Sequence, residues 1–222
     1  MPVSLTTAEG KVTKVMLDSE AEATTVRMAS LQSSAWCKLN PGVVGFYRVH
    51  YSQQERDLLC QAVRDKALPA VDRLNMLDDL WSLIQAGKAA TVEGLRLLDS
   101  YKAEESYIVW NNISSVVGSS YHSAWNHGTH YTDLLQVGTV STLLADEEFY
   151  PAWEQFVLQL FSGVKAGLVW EAAAGEPHLT TLLRSLVISR LGRAGDPEVR
   201  QEARRRYWSV LGGALHCCVG QV

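Results

Sequence analysis

The feature that most constrains the fold is a change of hydrophobic period at Ser52. Before Ser52, apolar and polar residues alternate, as in residues 44–49, and this pattern is typical of half-buried antiparallel strands. After Ser52, apolar residues recur at helical spacing, as in residues 71–85, where they form the stripe Leu74, Leu77, Trp81 and Ile84. Strands grouped ahead of helices predict a mainly α protein with a small N-terminal β part.

The N-terminal strands predict a partial antiparallel β-sandwich over residues 1–51. The predicted strands are residues 3–6, 12–17, 24–28, 36–39 and 44–49. A turn is predicted at Asn40-Pro41-Gly42, because proline presets φ for a turn and glycine tolerates the positive φ that follows. A sheet of this size has one apolar face and needs a second layer to cover it.

Residues 52–211 are predicted to form a helical domain. Ser52 and Glu55 have capping-box spacing, and Thr91 is the predicted cap of a helix that carries Leu95, Leu97 and Leu98. The other predicted helices are residues 53–66, 71–85, 106–117, 147–161, 178–191 and 197–211. Helices of this length joined by short loops favour an α-solenoid-like array of antiparallel helix pairs.

Two segments do not follow the helical pattern. Residues 119–138 are interpreted as an irregular insert, and residues 212–222, with Cys217 and Cys218, as a divergent tail. The insert holds His122, His127 and His130, which would bind a metal only if the loop folded around it, so we favour a solvated loop. No metal site and no cofactor are predicted for this chain.

Composition excludes several classes of function. The 24 acidic and 20 basic side chains give a net charge of −4, which argues against a nucleic-acid partner. No apolar run approaches the roughly 18–20 residues that span a bilayer, so no membrane association is predicted. Four scattered cysteines without a disulfide pattern favour a reducing compartment, and we expect a cytoplasmic protein.

Catalytic motifs are absent from the sequence. It contains no HExxH, GxSxG, GxGxxG or Walker A pattern, and no catalytic residue is predicted. The adjacent carboxylates Asp78 and Asp79 diverge by about 100° on a helix, so we expect them on solvated faces and not in one site.

Two segments carry a resemblance to a known family. Residues 36–51 (WCKLNPGVVGFYRVHY) and 68–87 (LPAVDRLNMLDDLWSLIQAG) resemble the zinc aminopeptidases of the HExxH-plus-Glu (gluzincin) type, in their puromycin-sensitive branch. Shorter matching pieces follow in the same order, and the resemblance covers residues 3–208 apart from 119–138. In that family a G-[FY]-Y-R-x-x-Y strand closes a small sandwich and leads into the helical C-terminal domain.

The resemblance implies a non-catalytic role. The family's zinc ligands, catalytic glutamate and GxMEN motif lie upstream of the matching region, and none of them occurs in this sequence. We therefore expect a C-terminal fragment, a splice variant or gene-model product, and not an enzyme by itself. In the family this region walls and gates the chamber in which N-terminal amino acids are removed from peptides, so its expected partners are peptide or the missing catalytic domain.

Four residues are predicted to fix the angle between sandwich and helices. They are Tyr47 and Arg48 at the end of the last strand, and Asp72 and Arg73 at the start of the following helix. The alternative is a stand-alone helical scaffold that binds a peptide or a protein in a groove lined by Trp81, Trp110 and Trp153.

Overall fold

Three short strands form the N-terminal sheet of the computed structural model, which describes residues 1–17, 35–117 and 146–219, with side chains as far as Leu211. The strands are β1 (Pro2–Thr7), β2 (Val12–Met16) and β3 (Cys37–Leu39). They pair antiparallel in the order β2–β1–β3, so β1 is central. Leu5 of β1 lies opposite Thr13 on one side and Leu39 on the other.

The alternating run at residues 44–49 is not a strand, which corrects the prediction. Backbone N–H groups of this run bond side chains and not a neighbouring strand. The N–H of Gly45 donates to Asn40 Oδ1 (2.7 Å), and the N–H of Val49 donates to Asp79 Oδ2 (3.2 Å). Exposure does alternate along this run, and Val44 and Phe46 are the apolar residues that face outward. The predicted strand 24–28 lies outside the described residues, and the sandwich boundary at residue 51 stays a prediction.

The described helices begin and end close to their predicted positions. They are α1 (Gln53–Arg64), α2 (Ala70–Gln85), α3 (Thr91–Asp99), α4 (Tyr107–Val117), α5 (Tyr150–Ala166), α6 (His178–Arg193) and α7 (Pro197–Val219). The expected class, mainly α with a small N-terminal β part, is confirmed.

Local differences concern the helix ends. The capping box is present, since Ser52 Oγ accepts from the Glu55 N–H (3.3 Å) and Glu55 Oε2 accepts from the Ser52 N–H (3.0 Å). Thr91 is the first helical residue, and Ala90 is the cap. The predicted non-helical tail is wrong as far as Val219, because α7 continues to that residue.

The helices pack in a row. α2 contacts α3 and α4, α4 contacts α6, and α6 contacts α5 and α7. One hydrophobic cluster runs through the whole array, from Val49 to Val199. Helices α1 to α6 therefore bury apolar residues against their neighbours, as in stacked helical repeats, whereas Tyr207, Trp208 and Val210 of α7 are exposed.

The three tryptophans predicted to line a groove lie in this core. Trp110 has no exposed surface, and Trp153 and Trp81 expose 5% and 9%. The Trp110 ring lies 4.6 Å from that of Phe161, and its indole N–H donates to the Glu104 carbonyl (2.9 Å). The groove interpretation of these side chains is wrong, because they hold the helices together.

One close contact, between α5 and the connection from α3 to α4, requires glycine. A Cβ at Gly163 in α5 would lie 2.5 Å from the carbonyl oxygen of Lys102, whereas a Cβ at Gly167 would have its nearest neighbour at 3.8 Å. Gly163→Ala is therefore expected to destabilise the chain by about 1–3 kcal/mol through overpacking, despite the higher helix propensity of alanine.

Urea unfolding followed by circular dichroism measures this difference. Gly167→Ala is the matched control and is expected to change the free energy of unfolding by less than about 0.5 kcal/mol. A Gly163→Ala chain as stable as the unmodified protein would show that α5 does not approach the Lys102 backbone closely.

Candidate functional site

The first turns of α2 face the sheet and the loop that follows β3. Asp72, which is 3% exposed, accepts a hydrogen bond from the N–H of Gly42 at 2.7 Å. Gly42 has φ of +70° and follows Asn40, which has φ of +55°, so the predicted turn exists and has a left-handed backbone. The Asp72 carboxylate thus joins the turn to the N-terminal end of α2, where negative charge is also favourable.

Arg48 joins the same loop to the middle of α2. Its guanidinium bonds the carboxylates of both Asp78 and Asp79, the second at 3.2 Å. This corrects the expectation that adjacent carboxylates do not share a site: the two side chains diverge, but one guanidinium reaches both. Asp78 is half exposed and Asp79 is buried.

The charge of Asp79 is balanced by its neighbours. Burial raises the pKa of Asp79, and the bonds that it accepts from Arg48 and from the Val49 N–H oppose this rise. Hydrogen bonding to Asp78 raises the pKa of Arg48. The loop, the buried carboxylate and α2 are therefore coupled through one ion-paired cluster.

Lys38 lies at the centre of the contact between β3 and α2, and sequence reasoning missed it. It has no exposed surface, and its Nζ donates to Asn75 Oδ1 at 2.8 Å and to the Leu39 carbonyl at 2.6 Å. Burial lowers the pKa of Lys38, and the charges of Asp72 and Asp79 oppose this. We name Lys38, Asp72, Asn75 and Asp79 the junction cluster.

Two tyrosines complete the attachment of the sheet. The hydroxyl of Tyr47 accepts from the Ser4 N–H of β1 at 3.4 Å, and that of Tyr51 accepts from the Leu39 N–H of β3 at 2.9 Å. Burial raises the pKa of Tyr51. Both phenol oxygens therefore accept hydrogen bonds from backbone N–H groups of the sheet.

Arg73 lies away from the junction cluster. Its guanidinium forms a two-point pair with Glu104, in the connection between α3 and α4, with N···O distances of 2.7 and 2.8 Å. The hydroxyl of Tyr101 donates to the Arg73 carbonyl at 2.8 Å. Arg73 thus fixes α2 to the connection that follows α3. Of the other three predicted residues, Tyr47 contacts the sheet from the loop, Arg48 contacts α2 from the loop, and Asp72 contacts the loop from α2.

A sequence signal for the missed residues exists on α2. Asp72, Asn75 and Asp79 have the spacing i, i+3, i+7, which places them on one helical face. All three are buried. A polar stripe of this kind on a helix with an apolar stripe indicates a second, polar contact surface, and here that surface receives Lys38.

The site has no metal-binding arrangement. Among the residues that the structure describes, no group of three or more histidine, cysteine or acidic side chains is placed to hold a metal ion. His122, His127 and His130 lie outside the described residues, as do the side chains of Cys217 and Cys218. No helix in the described part of the chain is long and apolar enough to cross a membrane.

The buried ion pair of Arg73 and Glu104 can be compared with an exposed ion pair beside it. Glu104 is buried, whereas Glu105 pairs with Lys66 at 2.6 Å on the surface. Glu104→Gln is expected to destabilise the chain by about 3–5 kcal/mol, because it leaves a buried arginine without its counter-charge. Glu105→Gln is expected to cost less than about 1 kcal/mol. Urea unfolding of both variants checks this, and equal losses would contradict it.

The pH dependence of this pair has a definite sign. Burial alone would raise the pKa of Glu104, but bonds from Arg73 and from two backbone N–H groups outweigh it and lower the pKa below the ordinary 4.5. Ionised Glu104 therefore stabilises the fold above pH 4.5 and loses this effect as the pH falls through its folded-state pKa. The Glu104→Gln chain should lose less stability on acidification than the unmodified chain, and an equal loss would contradict this assignment.

The chain matches one protein family over most of its length. Residues 36–216 match the family model of the ERAP1-like C-terminal domain. Aminopeptidase M1-B of Oryza sativa subsp. japonica is 29% identical over 199 residues, which are 90% of this chain and 20% of that protein. The puromycin-sensitive aminopeptidase of Caenorhabditis elegans is 29% identical over 165 residues, 72% of this chain and 15% of that protein.

A third relative also matches most of this chain with a small part of its own length. The glutamyl aminopeptidase of Homo sapiens is 27% identical over 199 residues, 89% of this chain and 19% of that protein. The chain thus spans a fifth or less of the length of these curated relatives. Since the family model covers most of its residues, the chain belongs to the ERAP1-like C-terminal domain family, as found in the M1 aminopeptidases.

Proposed function

We propose that this chain forms the non-catalytic wall of an aminopeptidase chamber and gates the access of peptides to it. The parent activity in this proposal is the removal of N-terminal amino acids from peptides. The supporting observation is the match of residues 36–216 to a C-terminal domain family, in a sequence that has neither HExxH nor GxMEN. The partner in this proposal is a catalytic domain, which supplies the zinc.

A catalytic zinc does not fit the residues that the structure describes. A catalytic zinc site needs three protein ligands, an open position for water and a general base. The described residues offer no such group, and the sequence lacks the motif that would supply one. We therefore derive no catalytic step here and assign the chain a role in shape.

The junction cluster supports this role. A wall restricts access only if its angle to the rest of the enzyme is fixed, and here three buried groups of α2 bond the sheet and its loop. Arg73 and Glu104 then fix α2 to the connection between α3 and α4. We therefore expect the row of helices to keep a fixed orientation to the sheet.

The proposal predicts a change in selectivity for peptide length. In a chimera, this chain replaces the 199 matched residues of the rice aminopeptidase M1-B. Cleavage of an amino-acid anilide should persist, because such a substrate does not need the wall. The ratio of kcat/KM for long peptides to that for the anilide should match the natural enzyme and change by about tenfold when the matched region is deleted, a difference of about 1.4 kcal/mol. An unchanged ratio after deletion would contradict a gating role.

The junction can be tested in the same chimera. Asp79→Ala removes the buried carboxylate that holds Arg48 and the Val49 N–H, so the wall should tilt and the length ratio should shift by about tenfold or more. Asp78→Ala is the matched control, since Asp78 is half exposed, and is expected to leave the ratio within about twofold. Equal ratios in the two variants would show that the junction does not set peptide access.

One observation favours the alternative, a stand-alone module that binds peptides. A half-open cavity of about 540 Å³ lies between α5, α6 and α7, and its lining is mostly apolar. It includes Trp170, Val187 and Ile188. Cavities of this size and composition commonly hold small ligands or apolar side chains.

This alternative predicts binding by the isolated chain. Short apolar peptides should alter the fluorescence of Trp170 and bind with measurable heat, and Ile188→Asp should weaken this by about tenfold or more. Ser185→Asp, on an exposed position of the same helix, is the control. Absence of heat with the unmodified chain would remove the support for a stand-alone module.

A further inference from the structure

The loop after β3 presents an apolar tip to solvent. Val44 is 87% exposed, and Phe46 is more exposed than in an extended reference peptide, at 107%. Val43, beside them, is 40% exposed. A fully exposed phenylalanine next to two exposed valines indicates a contact surface, because its burial against a partner would release a large apolar area from water.

The backbone under this tip is fixed in a costly conformation. Asn40, Gly42 and Val43 have φ of 55°, 70° and 58°. A β-branched residue such as valine is rare in the left-handed region, and such strain persists where surrounding bonds impose it, often at binding sites. Here Asn40 Nδ2 donates to the Gly45 carbonyl (2.9 Å), and Asp72 holds the Gly42 N–H (2.7 Å).

Gly45 determines which aromatic ring faces outward. A Cβ at Gly45 would lie 2.2 Å from Cε1 of Tyr47, so only glycine lets the Tyr47 ring lie against this backbone. Tyr47 consequently turns toward the sheet, and Phe46 remains on the outside. A rigid aromatic side chain loses little freedom on binding, which is why such residues often dominate the affinity of an interface.

Polar groups surround the tip. Arg48 and Asp78, each about half exposed, lie beside a surface cavity of about 380 Å³ that is also lined by Val43, Phe46 and Tyr47. An apolar centre with a charged rim is the usual composition of a protein–protein contact. The partner surface that fits it has an apolar pocket for Phe46, bordered by charged groups that pair with Arg48 and Asp78.

The position of the tip in the family indicates its partner. The family model begins at residue 36, so the tip lies near the start of the matched C-terminal domain, and the rest of an aminopeptidase of this family precedes that domain. Four fifths of the rice relative lie outside the match. We propose that Val44 and Phe46 anchor this domain in a pocket of the aminopeptidase polypeptide that precedes it, an inference that rests on the proposed function.

Photo-cross-linking in the rice chimera tests the anchor directly. Phe46→p-benzoylphenylalanine is irradiated in the chimera, and the attachment point is located by mass spectrometry. We expect a cross-link to the rice part that precedes the exchanged region. Phe149→p-benzoylphenylalanine, at another exposed phenylalanine, is the matched control and should not cross-link there. A cross-link from residue 46 only to this chain, residues 18–34 included, or to a second copy, would overturn the inference, as would no cross-link.

Thermal unfolding gives a second measurement that does not depend on the cross-linker. Phe46→Asp should lower the melting temperature of the chimera by a few degrees and leave that of the isolated chain unchanged, while Phe46→Leu should change both little. Equal melting temperatures of the chimera with and without Phe46→Asp would overturn the anchor.

The two proposals fail in different ways. A chimera that keeps the peptide-length ratio but shows no cross-link at residue 46 overturns the anchor alone. A chimera that cross-links at residue 46 but has the length ratio of the deletion variant overturns the gating role and leaves the anchor supported. A chimera without a cooperative melt overturns both, because the chain then does not replace the matched region.

Discussion

The ammonium of Lys38 lies between β3 and α2 without any exposed surface, and the attachment of sheet to helices depends on how this charge is satisfied. A buried ammonium is costly unless hydrogen bonds and opposite charges surround it. The amide of Asn75 and the Leu39 carbonyl provide the bonds, and Asp72 and Asp79 provide the charge. Because each of these partners lies at a defined place on α2 or β3, the cluster permits one relative orientation, whereas an apolar contact would tolerate several.

This constraint extends in both directions along the chain. Asp72 and Asp79 also accept backbone hydrogen bonds, from the Gly42 N–H and from the Val49 N–H, so the carboxylates whose charge balances Lys38 also shape the loop. On the other side of α2, Arg73 continues the polar contacts to Glu104. The loop, the sheet and the first helices are thus joined through α2. The apolar core stabilises this arrangement, and the polar contacts determine the angle between sheet and helices.

Sequence patterns predicted most of the helices well because most of them bury an apolar stripe that repeats with the helical period, as Leu77 and Trp81 do in α2. They failed at residues 44–49. Alternation indicates that one side of a segment is buried and the other exposed, but it does not show whether a neighbouring strand exists. Here the side chains of Asn40 and Asp79 accept the backbone hydrogen bonds that such a strand would accept. They also missed Lys38, because a buried lysine is specified by partners that lie 34 and more positions away in the sequence, such as Asp72. The polar stripe of α2 was visible in the sequence, but only the fold shows what it contacts.

The polar groups at the junction agree with the proposed role of this region, which is to hold the helices at a defined angle to the sheet. Replacing a buried ionic cluster with apolar side chains often leaves stability unchanged or higher, so its presence is better explained by the geometry that it defines. In this chain the same cluster holds the left-handed turn under Val43 and thereby directs Phe46 outward. A partner that receives Phe46 would consequently have the helices placed against it at an angle set by α2. In the proposed function, the tip and the wall are then joined through α2, and the polar contacts of α2 determine their relative position.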